Sequence, residues 1–222
     1  LSRERILRQA QASQAIRIGQ APQQALRWTP PGGASAEMAP LIERLGDFMP
    51  VRGNAVELLD DYDASLAALI ADIDAASERV HLLYYLMFDD AVGDAVVEAL
   101  LRATARGIHC RVLLDAVGAK RGLRRYAHRL RRAGVDVHEM LPGGLRWRRS
   151  GRMDLRNHRK IAVIDNEVAY IGSQNLAGPR FVPGHPNREL VARVRGPAVA
   201  HLEAVFASDW YMETGQRLDV LA

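Results

Sequence analysis

The chain has 222 residues, of which 48% are hydrophobic, 25% charged and 6% aromatic, enough for one domain of ordinary size or a domain with an appendage. This composition excludes a disordered or collagenous chain, and the most apolar stretches, such as Leu82 to Phe88, fall far short of the roughly 20 residues a membrane-spanning helix needs. The net charge of +4 hides an uneven distribution: Lys120 to Lys160 holds 14 basic residues against three acidic ones, a local +11 that leaves −7 for the remainder. The single cysteine, Cys110, lies in an apolar run and reads as a small buried thiol, and it excludes an intramolecular disulfide.

The opening residues Leu1-Ser2-Arg3-Glu4 lack an initiator Met and lead into no apolar signal region, as expected of a chain that begins inside a longer protein. Residues 1 to about 20 read as a polar, Gln- and Arg-rich helix, which the Thr29-Pro30-Pro31-Gly32-Gly33 stretch breaks. We therefore expect an N-terminal helix and Pro/Gly linker over 1–39, a folded domain over 40–215 and a tail over 216–222. A short helix from Glu37 to Asp47 and a turn into a strand ending at Leu59 open the domain.

Helices and strands then alternate. Leu66, Leu69, Ile70 and Ile73 mark the apolar face of a helix from Asp63 to Ser77, and Val80 to Phe88 is a β-rich run. A helix from Val92 to Arg106 precedes a buried-type strand, Cys110 to Leu114, and a basic helix from Arg121 to Arg132 precedes a short strand, Val135 to His138. Gly107 and Gly134 fall where helices stop. Farther on, His158 to Ile164 and Val168 to Gly172 read as strands of a hairpin turned at Asp165-Asn166-Glu167. A third strand, Arg188 to Val194, and a closing helix, Ala198 to Met212, complete the pattern. The βαβ rhythm predicts an α/β domain with a mixed β-sheet flanked by helices.

Two basic regions differ in kind. Arg124, Arg125, Arg131 and Arg132 fall at helical spacing, as on a solvated helix face. Arg146, Trp147 and Arg148 sit in a segment with no period, and an aromatic among arginines suits an anionic surface, either phospholipid headgroups or nucleic acid. The informative segment follows. On a strand, side chains at i and i+2 share a face, so His158 and Lys160 are expected to converge, with the hairpin returning Gly172, Ser173 and Asn175 alongside. A neutral imidazole is a nucleophile near neutral pH, and an ammonium with hydroxyl and amide donors can hold the charge growing on phosphoryl oxygens without a metal. Lysine occurs only at Lys120 and Lys160 in a chain dominated by arginine. Asp115, at the end of a strand, is placed either for a site or to cap the next helix. Tyr84, Tyr85 and Phe88 read most simply as core and sheet residues, with a lipid-lining role as the lesser alternative.

The pattern H-x-K, four residues, D, six residues, G-S-x-N, running from His158 to Asn175, resembles the HKD motif of the phospholipase D superfamily at every fixed position. The flanking text Asn157-His158-Arg159-Lys160-Ile161, the Leu82 to Asp90 run, Leu114-Asp115-Ala116-Val117-Gly118, the Val194 to Val199 run and Asp209-Trp210 resemble the N-terminal half of bacterial cardiolipin synthases, from about Pro40 to Trp210. That resemblance implies a single HKD half-domain of phospholipase D-like fold. It implies a phosphatidyltransferase that joins two phosphatidylglycerols through a phosphatidyl-histidine, with no cofactor and no metal. His158 would be the nucleophile or its partner acid, Lys160 and Asn175 would hold phosphoryl oxygens, and Ser173 would assist. Asp165 would tie down the motif, and Glu189, on the third strand, would hydrogen-bond the imidazole. Arg146, Trp147 and Arg148 are the expected contacts to lipid.

The superfamily uses two HKD motifs and this sequence has one, so the resemblance implies a second half from a homodimer partner or a longer native chain. The expected partners are anionic phospholipid, phosphatidylglycerol above all, and the membrane surface, with the protein peripheral on the cytoplasmic side of the cell membrane. Two alternatives stand beside this reading: a homodimeric phosphodiesterase or nuclease of the same superfamily, for which nucleic acid is the partner, and an inactive half-domain that binds anionic lipid.

Overall fold

The computed structural model describes residues 25–46, 48–142, 156–182 and 184–218, with 7, 8 and 11. The expected helix over residues 1–20 falls almost entirely outside them, as do Arg146, Trp147 and Arg148. Twelve elements follow in order: α1 (Ala34–Leu45), β1 (Ala55–Leu59), α2 (Tyr62–Ala75), β2 (Arg79–Tyr84), α3 (Ala91–Ala105), β3 (His109–Asp115), α4 (Lys120–Arg132), β4 (Asp136–Met140), β5 (Lys160–Ile164), β6 (Val168–Gly172), β7 (Val191–Arg195) and α5 (Ala198–Thr214). None of the helices described is long and apolar enough to cross a membrane.

The strands form one sheet in the order β1-β7-β6-β5-β2-β3-β4. The βαβ units make β2, β3 and β4 parallel, whereas the hairpin strands β5 and β6, with β7 and β1, pair antiparallel. Strand pleating sends alternate side chains to opposite faces and so to two cores. Val80, Leu82, Val112, Leu114, Ala162 and Ile164 pack with Leu69, Ile73, Val96 and Leu130 of the helices α2, α3 and α4. Leu83, Leu113, Ile161 and Val163 pack beneath Phe206 and Trp210 of α5. Both aromatic side chains are fully buried, a contribution of about 3–5 kcal/mol each to holding α5 on the sheet.

Helix ends are set by local chemistry. Asp61 caps α2 by accepting from Ala64 N at 2.8 Å, and Asp90 caps α3 by accepting from Val92 N and Gly93 N at 3.0 Å each. Gly107 and Gly134 take φ values of 89° and 98°, the left-handed conformation that ends α3 and α4. The turn between β5 and β6 has Asp165 and Asn166 at φ 53° and 55°, the pair of positive values a type I′ turn requires.

Several boundaries differ from expectation. The helix expected from Glu37 begins at Ala34, directly after Gly33 at φ 64°, so the expected boundary between 39 and 40 lies inside α1. The β-rich run to Phe88 leaves the ladder after Tyr84, because Leu86 N donates to Asn175 Oδ1 at 3.0 Å and Phe88 N to Leu176 O at 2.9 Å. The strand expected from His158 begins at Lys160, opposite Tyr84, the last residue of β2. The third strand begins at Val191, which leaves Glu189 on the segment before it.

Beneath α5 lies a buried polar contact. His81 Nδ1 donates to Glu203 Oε1 at 2.7 Å, Arg111 Nη1 donates to His81 Nε2 at 3.1 Å, and the imidazole stacks on Phe206 at 4.4 Å. Both His81 and Glu203 are withdrawn from solvent, so either partner left alone would be an uncompensated buried polar group. We expect Glu203→Ala to destabilise the fold by about 3–5 kcal/mol. Pairing Glu203→Met with His81→Leu should recover much of that loss, both read from denaturant unfolding.

Candidate active site

The site lies at the edge of the sheet where the parallel strands end, the usual place for ligand binding in open α/β sheets. Because β5 runs antiparallel to β2, its first residue, Lys160, faces Tyr84 at that edge. His158 precedes the strand and is exposed, whereas Lys160 is 5% exposed. Their convergence therefore comes from Lys160 reaching back and not from a shared strand face. Its Nζ donates to His158 O at 2.6 Å and lies 2.9 Å from Nδ1 and 3.3 Å from Nε2.

Tyr85 completes the wall. Its ring lies 4.6 Å from the His158 ring and 5.4 Å from Lys160 Nζ, close enough for a cation–π contact. Burial, then the Lys160 charge, push the His158 imidazole below its ordinary value, against an opposing pull from Asp115. Burial likewise lowers Lys160, opposed by the negative charge of Glu189. At neutral pH the histidine is thus biased toward its unprotonated, nucleophilic form.

The return half of the hairpin brings Gly172, Ser173 and Asn175 to the same edge. A Cβ at Gly172 would meet Leu190 O at 2.2 Å, so only glycine allows β6 to approach this closely. Ser173 Oγ accepts from Leu190 N at 3.1 Å, a bond that extends the β6–β7 pairing beyond the strands. Asn175 is buried and spends its Oδ1 on Leu86 N, leaving its amide nitrogen as the donor end. Lys160, Gly172, Gln174 and Asn175 line an open cleft, walled by Leu66 and Leu69 of α2 and by Tyr84 and Tyr170 of the sheet.

Asp165 stands at the opposite end of β5. Its carboxylate accepts from Ser77 N, Glu78 N and Arg79 N at 2.8, 2.9 and 2.8 Å, and from Ser77 Oγ at 2.9 Å. It therefore ties the hairpin to the turn that opens β2 and does not reach the site. Glu189 lies on the segment before β7; among the described residues it has no hydrogen bond to the His158 imidazole, and its negative charge bears on Lys160.

Reasoning from sequence did not single out Tyr85, Arg156, Asn157 or Asp209 as site residues. Tyr85 read as one more core aromatic, since only the departure of the chain from β2 turns it toward His158. Asp115 does not cap α4, whose N-cap residue, Ala119, has no side-chain cap; it holds the turn after β3 and the segment before the histidine instead. Its Oδ1 accepts from Val117 N and Gly118 N at 3.0 and 2.8 Å, and from Arg156 Nη2 at 2.9 Å, two residues before the histidine. Among the described residues, no group of three or more His, Cys, Asp or Glu side chains is arranged to hold a metal ion.

The Asp165 contacts carry a stability prediction. Burial alone would raise this carboxyl, and the backbone bonds from Arg79, Ser77 and Glu78 with the Ser77 hydroxyl outweigh it, so the group is held below its ordinary value. Asp165→Ala should cost about 1.5–3 kcal/mol at neutral pH. The stabilisation is complete above the unfolded-state value of about 3.9 and disappears as pH falls through the lower folded value, so the gap between wild type and variant should close in acid. Thermal unfolding across a pH series measures both effects.

Comparison with known proteins places the chain in a family and a fold. The family profile for the cardiolipin synthase, PLD-like domain matches residues 69–210. Cardiolipin synthase A of Yersinia pseudotuberculosis serotype O:1b (strain IP 31758) is 40% identical over 183 residues, covering 80% of this chain and 38% of the relative. Cardiolipin synthase A of Yersinia pestis bv. Antiqua (strain Angola) matches equally, so the chain spans about two fifths of the length of these relatives. Among solved structures, the phospholipase D family member Nuc from Salmonella typhimurium superposes with a TM-score of 0.56 at 14% identity, covering 75% of this chain and 100% of that one. NucT from Helicobacter pylori gives 0.55 at 17% identity, with 72% and 98% covered. At these identities the two structures establish the phospholipase D-like fold. With the family profile spanning α2 to α5 and relatives at 40% identity, the chain belongs to the cardiolipin synthase, PLD-like domain family.

Proposed function

We propose that this chain supplies one histidine-bearing half of a phosphatidyltransferase of the cardiolipin synthase type. The observation that carries the reading is the meeting of an exposed imidazole of lowered pKa with a buried ammonium at 2.9 Å, beside the donor end of Asn175 and an open cleft.

In this mechanism the His158 nitrogen lone pair attacks the phosphorus of phosphatidylglycerol. The bond from phosphorus to the glycerol oxygen breaks, glycerol leaves with a proton, and a phosphatidyl-histidine remains. A hydroxyl of a second phosphatidylglycerol then attacks the same phosphorus, releases its proton and restores the free imidazole, forming cardiolipin. The Lys160 ammonium and the Asn175 amide are fixed donors for the charge that grows on the non-bridging oxygens, a role typically worth 10²–10³ in rate. Asp165 serves by tying β5 in place, and Ser173 by closing the segment that carries Asn175. Glu189 acts on Lys160, keeping the buried ammonium charged.

The proton for the departing glycerol needs a general acid, and a second HKD motif supplies it in this reading, from another copy of the chain or from further sequence. The catalytic domain over 40–215 then works at an anionic membrane surface, peripheral on the cytoplasmic side. The open basic side chains Arg124, Arg125 and Arg132 of α4 suit that surface. The unperiodic segment with Arg146, Trp147 and Arg148 would add to it.

The test is an intact-mass spectrum after brief incubation with phosphatidylglycerol vesicles and a denaturing quench, with peptide mapping of any adduct. We expect a phosphatidyl adduct on His158 in wild type and none in His158→Ala. Equal adduct in both would overturn the mechanism, and cleavage of plasmid DNA with chelator present and no lipid adduct would favour the nuclease. Lys160→Ala should slow adduct formation about 10²–10³-fold while leaving vesicle binding largely intact.

The pH profile gives an independent check. Since burial and Lys160 lower the His158 value, the acid limb of adduct formation should lie below the ordinary histidine value of about 6.5. Removing the neighbouring positive charge in Lys160→Ala should move that limb upward, which a series of single-turnover rates would detect.

A further inference from the structure

We propose that Asp209 of α5 is a positioning residue for His158, acting through Asn157 and Arg159, the two residues that flank the histidine. Asn157 Nδ2 donates to Asp209 Oδ2 at 2.8 Å, and Arg159 Nη1 donates to the same oxygen at 3.0 Å. The clamp is closed within the segment by Arg159 N, which donates to Asn157 Oδ1 at 3.2 Å. One carboxylate thus gathers both neighbours of the histidine and leaves the side chain between them to face away from α5, toward Tyr85 and Lys160.

The need for such a clamp follows from where His158 sits. It lies outside β5, so no strand partner fixes its backbone, and its carbonyl is held instead by Lys160 Nζ. The ring orientation therefore depends on what its neighbours grip. Asp209 is suited to this because the next residue, Trp210, is fully buried under the sheet, so the carboxylate rides on a rigid part of α5. A similar anchor lies one residue earlier, where Arg156 donates to Asp115 Oδ1 and, through Nη1, to Leu141 O at 3.2 Å. Arg156 is thus tied to β3 and to the loop after β4, Asn157 and Arg159 to α5, and the His158 ring between them lies against Tyr85 and Lys160.

The inference rests on the reading of His158 as nucleophile for its catalytic consequence, whereas the clamp is a matter of geometry that can be tested without turnover. The signature is the proximity of the His158 and Tyr85 rings, 4.6 Å apart, which gives a nuclear Overhauser contact in protein carrying labelled histidine and tyrosine. In Asp209→Leu we expect that contact to be lost and adduct formation to slow about 100-fold at saturating phosphatidylglycerol, with KM little changed. Asp209→Asn keeps an oxygen able to accept from both donors and should retain the contact and most of the rate. Should Asp209→Leu fail to fold, Asn157→Ala combined with Arg159→Ala removes the same bonds from positions outside the strands. An undisturbed ring contact in the variant that lacks these bonds overturns the proposal. A wild type that forms no adduct, while the ring contact still responds to Asp209, would overturn the reading that this chain assembles a working site by itself and leave the clamp standing.

Discussion

The antiparallel insertion of β5 between β2 and β6 is the constraint on which the rest of the site depends. The pairing of Tyr84 with Lys160 puts the start of β5 at the edge where β2 and β3 end, and the hairpin brings Gly172 back to that edge. From this one register, Lys160 faces the helical side of the sheet, where α2 and the β6–β7 pair leave a cleft. A slip of one residue would turn Lys160 toward the aromatic core under α5 and take Ala162 and Ile164 out of the core against α2, α3 and α4.

The hairpin is anchored at both ends by different chemistry. At the turn, a single carboxylate collects three backbone N–H groups and a hydroxyl, which fixes the axial position of β5 against β2. At the other end the chain leaves the sheet, and side chains take over from ladder hydrogen bonds: Arg156 on Asp115, Asn157 and Arg159 on Asp209. The geometry of the reactive group is thus decided by residues three elements away in sequence, while its electrostatics follow from burial. Burial lowers the proton affinity of Lys160, and burial of the imidazole followed by the Lys160 charge lowers that of His158.

Much of this was legible in the residues. Helical periodicity located α2, α3, α4 and α5 to within a turn, and Gly107 and Gly134 marked where two of them stop. The spacing from His158 to Asn175 pointed to a phosphate-handling hairpin, and Asp165 sits at its turn as a tie, in keeping with its expected role. What misled was the extrapolation of strand geometry past its last partner. His158 was placed on a strand face by alternation alone, yet alternation holds only while a neighbouring strand supplies the ladder, and β2 ends at Tyr84. Glu189 was expected on the third strand for the same reason, yet β7 starts two residues after it.

The amino-acid sequence by itself determined the alternation of helices and strands and the hairpin with the residues it carries, because these follow from local periodicity, turn chemistry and residue type. Only the tertiary structure decided which groups meet. That Tyr85 faces the imidazole, that Asn175 spends one end of its amide on Leu86, and that Asp209 grips both neighbours of His158 are contacts between segments 50 to 90 residues apart. Such contacts depend on strand order and on where each strand runs out of partners, and no local pattern encodes either.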